Sequence, residues 1–162
     1  MNIFGKPLSE YVSFAKPILL FIAVVGIARL ALSLAGVQTS AVKWLSVSAA
    51  MFIGLVYFSI RVYTTGFGSY KQLLPLLVIQ SFVAQVIIIA GIVIAIQTGK
   101  DNIFSLPEYA GGQDGKTWLH AGAHLVLGTI VGPLLAWLVG CVIMWVTKKV
   151  SPRDSTPAAQ NA

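Results

Sequence analysis

The chain holds two histidines, His120 and His124, four residues apart in the run WLHAGAHLVLG. On a helix that spacing puts both imidazoles on one face, one turn apart. The pattern H-x-x-x-H offers two nitrogens to a transition metal, and a closed zinc site needs a third and a fourth ligand. The acids nearest in sequence are Asp101, Glu108 and Asp114. No glutamate follows the first histidine, so the metalloprotease helix pattern is absent. The plainer expectation is that both imidazoles hydrogen-bond to a loop or to a neighbouring helix.

A haem poses a different demand. Two histidines on one helix face cannot clamp opposite sides of one porphyrin, so a second axial ligand must come from elsewhere. Counted into their apolar runs, Met51 and His124 share a depth, and Arg29 lies near the same level, where it can meet a propionate. His124, Met51 and Arg29 are therefore the expected haem or ligand residues, and a His/His site requires a homodimer. His120 with His124 is the expected metal pair.

Arg29 is informative by itself. It stands inside an apolar run, roughly 10 Å beneath its outer end at helical rise. A charge at such depth costs about 2.5–3.5 kcal/mol on insertion scales, so it must be paired, hydrated or reaching for a surface. None of the apolar runs contains Asp or Glu. Its candidate partners are outer headgroups reached by snorkelling, the acids Asp101, Glu108 and Asp114, helix-end carbonyls, a lipid phosphate or a bound anion.

One motif misleads. Residues 110–117 read AGGQDGKT, close to a phosphate-binding loop, but with Ala110 where the stricter form has Gly. No strand pattern precedes it and an apolar helix follows. Nucleotide is not an expected ligand. Gly111, Gly112 and Gly115 read as turn residues, and Asp114 or Thr117 as the cap of the next helix.

These residues must be held by something, and the composition says what. Of 162 residues, 57% are hydrophobic and 10% charged, against about a quarter charged in a soluble domain. Mean hydropathy is +0.84. A soluble enzyme, a nucleic-acid module and a disordered chain are excluded; the lipid bilayer is the first partner. A spanning helix needs ~20 apolar residues. Four windows qualify, at about 17–36, 44–63, 74–97 and 118–146. Backbone groups in hydrocarbon must bond within their own segment, and period-2 alternation is missing, so the windows read as helices. The short small-x-small sequence Ser33-Leu34-Ala35 resembles a cleavage site, but the run before it is too long for a signal core and reads as an uncleaved span.

Lysine and arginine sort by side. Lys6, Lys16, Arg61, Lys71, Lys148, Lys149 and Arg153 fall on the side of both termini; Lys43, Lys100 and Lys116 fall opposite. That bias places both ends in the cytoplasm. Trp44 and Trp118 then mark the outer interface, and Trp145 and Tyr63 the inner one. The expected fold is an all-α integral membrane protein, an antiparallel bundle of four transmembrane helices over residues 17–147. Residues 1–16 read as a short interfacial amphipathic helix, 98–117 as the outer loop, and 148–162 as a disordered cytoplasmic tail. The single cysteine, Cys141, lies in an apolar run and forms no intrachain disulfide.

Span four carries a further pattern: His120, His124, Gly128, Gly132, Ala136 and Gly140 at four-residue steps. Small residues so spaced allow close helix approach, which makes Gly128, Gly132, Ala136 and Gly140 a candidate face for a homo-oligomer or larger complex. Pro133 is expected to kink the span and free carbonyls near Thr129. Gln80, Ser81 and Gln85 in span three read as amides and a hydroxyl bonding across helices. The leading functional expectation is a non-catalytic multi-pass protein, an accessory subunit or small homo-oligomer acting through helix packing in a bacterial cytoplasmic membrane. The alternatives are a haem- or metal-binding redox protein using His120 and His124, and an oligomeric permeation protein built around the span-three amides.

Overall fold

The structure, a computed structural model, describes residues 2–151. Its regular structure is helical except for a two-stranded hairpin, β1 (Asn2–Ile3) with β2 (Lys6–Pro7). The helices are α1 (Leu8–Leu34), α2 (Thr39–Val42), α3 (Val47–Thr64), α4 (Tyr70–Thr98), α5 (Trp118–Ala123) and α6 (Gly132–Val150). A π-helical stretch, His124–Val131, joins α5 to α6 without a break. Four continuous segments are long and apolar enough to cross a membrane: Leu8–Leu34, Thr39–Thr64, Tyr70–Thr98 and Trp118–Val150.

The ends of these helices follow local chemistry. Ser46 caps α3 by accepting from the Ala49 amide at 3.2 Å. At α4 the Gln72 side chain accepts from the Ser69 amide at 2.9 Å, half of a capping box. That helix stops at Gly99, whose φ of 69° is the left-handed conformation that closes a helix without a Cβ clash. Thr117 caps the fourth segment, accepting from the His120 amide at 3.1 Å.

The N-terminus differs from the sequence expectation. Residues 8–16 do not form a separate interfacial helix; they are the first turns of α1, which runs unbroken through Pro17. The reason is packing. Tyr11 and Ala15 are fully buried. Tyr11 donates from its hydroxyl to the Ile3 carbonyl at 2.9 Å and meets Phe67 edge-on at 5.5 Å. Phe14 stacks on Phe67 at 4.1 Å. Part of the face that looked amphipathic, Tyr11 and Ala15, is turned into the bundle, while Phe4, Leu8 and Val12 stay exposed. At the other terminus Lys148, Lys149 and Val150 are still helical, and the expected disordered tail beyond 151 lies outside the described residues.

Helix α4 is the central element, packed against α1, α3, α6 and the π-helical stretch. Its buried residues include Leu73, Leu76, Leu77, Ala84 and Ile92 along with Gln80, Ser81 and Gln85. The glycines of the fourth segment serve this packing. A Cβ on Gly128 would run into the Gln85 side chain, and one on Gly140 would meet Ser59 Oγ at 2.8 Å and Leu73 at 2.9 Å. The close approaches at Gly128 and Gly140 are thus made within the chain, by α4 and α3.

The two ends of the bundle are different. One gathers the hairpin, Phe67, Tyr70 and Lys148, with Lys148 Nζ 3.9 Å from the Tyr70 ring centre. The other carries the turn after α1 and the long loop 99–117. That loop is no spacer. Asn102, Ile103, Phe104 and Ser105 are buried; the Ile103 amide donates to Ser33 Oγ at 2.8 Å, and Asn102 Nδ2 donates to the Gly91 carbonyl at 2.6 Å. A Cβ on Gly91 would strike the Phe104 ring, so glycine is what lets the loop seat on α4.

Candidate functional site

The loop end of the bundle gathers the polar side chains that have no surface to reach. His120 and His124 lie on one face as their spacing requires, ring centres 4.9 Å apart. His120 Nδ1 is 2.9 Å from the Gly115 carbonyl. A carbonyl only accepts, so Nδ1 carries a proton; the Nε2 is buried without a protein partner. His124 Nδ1 is 2.8 Å from Gln85 Oε1, an amide oxygen, and the same reasoning leaves its Nε2 unprotonated in the neutral ring. Both imidazoles are oriented from behind.

Each orienting group is itself fixed. Gly115 sits so close over the Ser105 backbone that a Cβ there would collide with it. Gln85 reaches His124 through the gap left by Gly128. That gap lies in the π-helical stretch just before Pro133, whose nitrogen cannot donate to the Thr129 carbonyl. Widened turns of this kind recur at functional sites. The hydroxyl of Thr129 is also buried without a partner.

A cavity of about 540 Å³ opens against the two imidazoles, with Gln85, Tyr109, Asp114 and Leu127 also on its wall. Next to it lies a smaller one of about 240 Å³, lined by Arg29, Lys43, Ser46 and Ser48 among others, and sharing Tyr109 and His124 with the first. Arg29 is 7% exposed. Its guanidinium carbon lies 5.5 Å from the Phe104 ring centre and 5.3 Å from that of Tyr109. Contacts of this kind contribute about 0.5–2 kcal/mol, less than the cost of burying the charge. Arg29 forms no ion pair among the described residues, and its Nε has no hydrogen-bond partner.

Two of the three loop acids, Asp101 and Asp114, turn to Lys116. Lys116 Nζ lies 2.6 Å from Asp101 and 3.4 Å from Asp114. The Lys116 backbone amide donates to Asp114 at 2.9 Å and holds that carboxyl below its ordinary range, while Asp101 raises the lysine. Of the sequence-derived partners for Arg29, the acids form no ion pair with it among the described residues, and the loop aromatics Phe104 and Tyr109 cover it.

Met51 stands apart from this group. It is partly buried on α3 with its carbonyl accepting from Gln80 Nε2 at 3.3 Å, and it lines neither cavity that contains His124. Nor does any cluster of three or more His, Cys, Asp or Glu suited to a metal occur among the described residues. Gln80 and Ser81 are each 2% exposed and face the bundle interior. The residues that sequence reasoning passed over are Lys43, Ser46, Ser48, Phe104 and Tyr109. The available signal was the apolar run Ile103-Phe104, set among charges in a loop that a solvated spacer does not need. Comparison of the chain with family models, with curated proteins and with solved structures finds no match.

Proposed function

We infer that this is a non-catalytic multi-pass membrane protein with both chain ends in the cytoplasm, in a bacterial cytoplasmic membrane, and that it works by holding a small amphipathic ligand at its outer end. The observation that carries the reading is the 540 Å³ cavity against two back-oriented imidazoles. Ligand sites are mostly apolar concavities with a few fixed polar groups, and this cavity has that make-up. His120 and His124 are each bonded through Nδ1 to a group that orients the ring and supplies no nucleophile. That favours recognition over turnover. An accessory role in a larger complex fits the same arrangement, with the ligand shared at the interface. The span-three amides lend less to a permeation path, because Gln80, Ser81 and Gln85 are turned into the chain's own core.

Gentle extraction, followed by mass spectrometry of small molecules that co-purify, tests this directly. A defined ligand should be retained by the wild type and lost from His120→Ala/His124→Ala, with helix content unchanged. A wild type that carries nothing and is not thermally stabilised by any added amphiphile would remove the reading.

One observation favours a second reading, a metal-binding redox protein. Metal-ligating histidines almost always donate their other nitrogen to a carbonyl or similar acceptor, and both histidines here do so. With two protein nitrogens, the remaining ligands would come from the bound molecule or water. Elemental analysis and an absorption spectrum of the purified protein decide it: stoichiometric metal lost with the histidines supports it, and metal-free protein ends it.

A further inference from the structure

We propose that the smaller cavity is an oxyanion site that takes a phosphate group, and that it anchors the charged end of the ligand whose apolar part occupies the larger cavity. This deepens the reading above and rests on it for the apolar part alone.

Three independent sources of positive potential meet at the smaller cavity. The first is Arg29, more than nine-tenths buried, with no ion pair among the described residues and an orphaned Nε. A guanidinium offers five N–H donors in a rigid fork suited to oxyanions. The second is Lys43, an exposed side chain on the short segment between α2 and α3 that lines the cavity, its Nζ 5.9 Å from the Trp44 ring centre. The third is the start of α3. Ser46, Val47 and Ser48 all line the cavity, and they are the cap and the first two positions of an 18-residue helix. The first N–H groups of a helix have no carbonyl behind them. Ser46 answers the Ala49 amide with its hydroxyl and the Ala50 amide with its carbonyl, which leaves the amides of Val47 and Ser48 for a ligand. A helix start carries about half a positive charge, and anions settle there.

The donors outnumber what one carboxylate accepts. Guanidinium, ammonium and two amides suit a phosphate, with its three strong acceptor oxygens. The volume agrees: 240 Å³ is about eight waters at ~30 Å³ each, enough for a phosphate and not for a nucleotide. Tyr109 and His124 line both cavities, so the two spaces adjoin, and in this proposal the ligand runs from Arg29 past His124 into the larger one. The buried charge of Arg29 then has a counter-charge that the chain does not supply. The phosphate can belong to a lipid headgroup in the outer leaflet or to a free phosphate or phosphate ester.

The test uses the full chain in a zwitterionic detergent, without phosphate or sulfate. Thermal unfolding is followed during titration with inorganic phosphate, with dihexanoyl phosphatidic acid, and with sodium chloride matched for ionic strength. The expected result is a saturable rise in melting temperature with one or both phosphate compounds and none with chloride. Arg29→Met should weaken the apparent affinity by about tenfold or more, and Lys43→Gln should weaken it less. A shift with inorganic phosphate assigns the free anion; a shift with the short lipid alone assigns the headgroup. If neither compound shifts the wild type, the proposal falls. If Arg29→Met does not fold, Lys43→Gln decides: an unchanged affinity overturns the site. His120→Ala, which alters only the larger cavity, separates the two ideas. Should inorganic phosphate bind equally to wild type and His120→Ala while no amphiphile binds either, the anion site stands and the amphipathic-ligand reading fails. Amphiphile binding that survives both Arg29→Met and Lys43→Gln and is lost in His120→Ala overturns the anion site and leaves the amphipathic-ligand reading standing.

Discussion

At the scale of single residues, the site depends on one missing side chain. Gly128 leaves the gap through which Gln85 reaches His124, and an added methyl there has nowhere to go except against the amide. Overpacking of a close contact costs typically about 1–3 kcal/mol, and a displaced Gln85 loses its hydrogen bond as well. Gly128→Ala should therefore lower the unfolding temperature and release the ring of His124. Nitrogen chemical shifts of labelled histidine check it: the Nδ1–H form held by Gln85 should give way to a mixture, with His120 unmoved. An unchanged His124 would mean that Gln85 does not fix the ring. The sequence made the pair visible through its four-residue spacing, and it made Arg29 visible through the cost of its depth. It could not show that Asp101 and Asp114 turn to Lys116, because the choice among oppositely charged partners in a loop depends on where the backbone brings them.

At the scale of elements, the four apolar runs were legible because a bilayer imposes both length and hydrophobicity on each of them. The continuity of α1 through residues 8–16 was not. An interfacial face and a face packed on Phe67 have the same apolar spacing, and only the neighbour distinguishes them. The disturbance at Pro133 was legible, but its form was not: the turns before it widen from His124 to Val131 where a simple bend was expected. Replacing that proline separates stability from site geometry. Pro133→Ala restores a donor for the Thr129 carbonyl, and alanine is favoured over proline inside a helix by about 3 kcal/mol. A return to regular α-helical turns rotates His124 about 100° per residue of slippage and gives up a hydrogen bond of about 1 kcal/mol. The gain from alanine in the helix should exceed the loss of that bond. The variant is expected to melt higher than wild type while losing the His124–Gln85 contact and the ligand that depends on it. Retention of that contact in the histidine spectra would show that the widened turns arise from packing on α4 instead.

At the scale of the whole molecule, the two ends of the bundle differ in chemistry more than in charge count. One end packs aromatic rings under Lys6 and Lys148; the other buries an arginine with an unpartnered Nε beneath a loop, against a cavity. The flank between them is apolar, with Leu134, Leu135, Leu138, Val139 and Val142 of α6 all exposed as a lipid-facing surface requires. The proposed orientation rests on the lysine and arginine bias, and its consequence is that the phosphate site opens to the outer leaflet and never to the cytoplasm. In a Cys141→Ala background, cysteines placed one at a time at Lys100 and Lys71 should behave oppositely toward a membrane-impermeant maleimide. Position 100, just past the Gly99 cap, should be labelled in intact spheroplasts. Position 71, at the start of α4, should be labelled only after lysis. The reverse pattern would put the Arg29 cavity on the cytoplasmic side, where free phosphate esters rather than outer-leaflet headgroups would be its supply. Neutralising Arg61 and Lys71 together removes two of the charges that set the bias, so a mixed population is the expected result in that variant, and a fully retained orientation would assign the control to Lys6, Lys16 and the basic pair at Lys148 and Lys149.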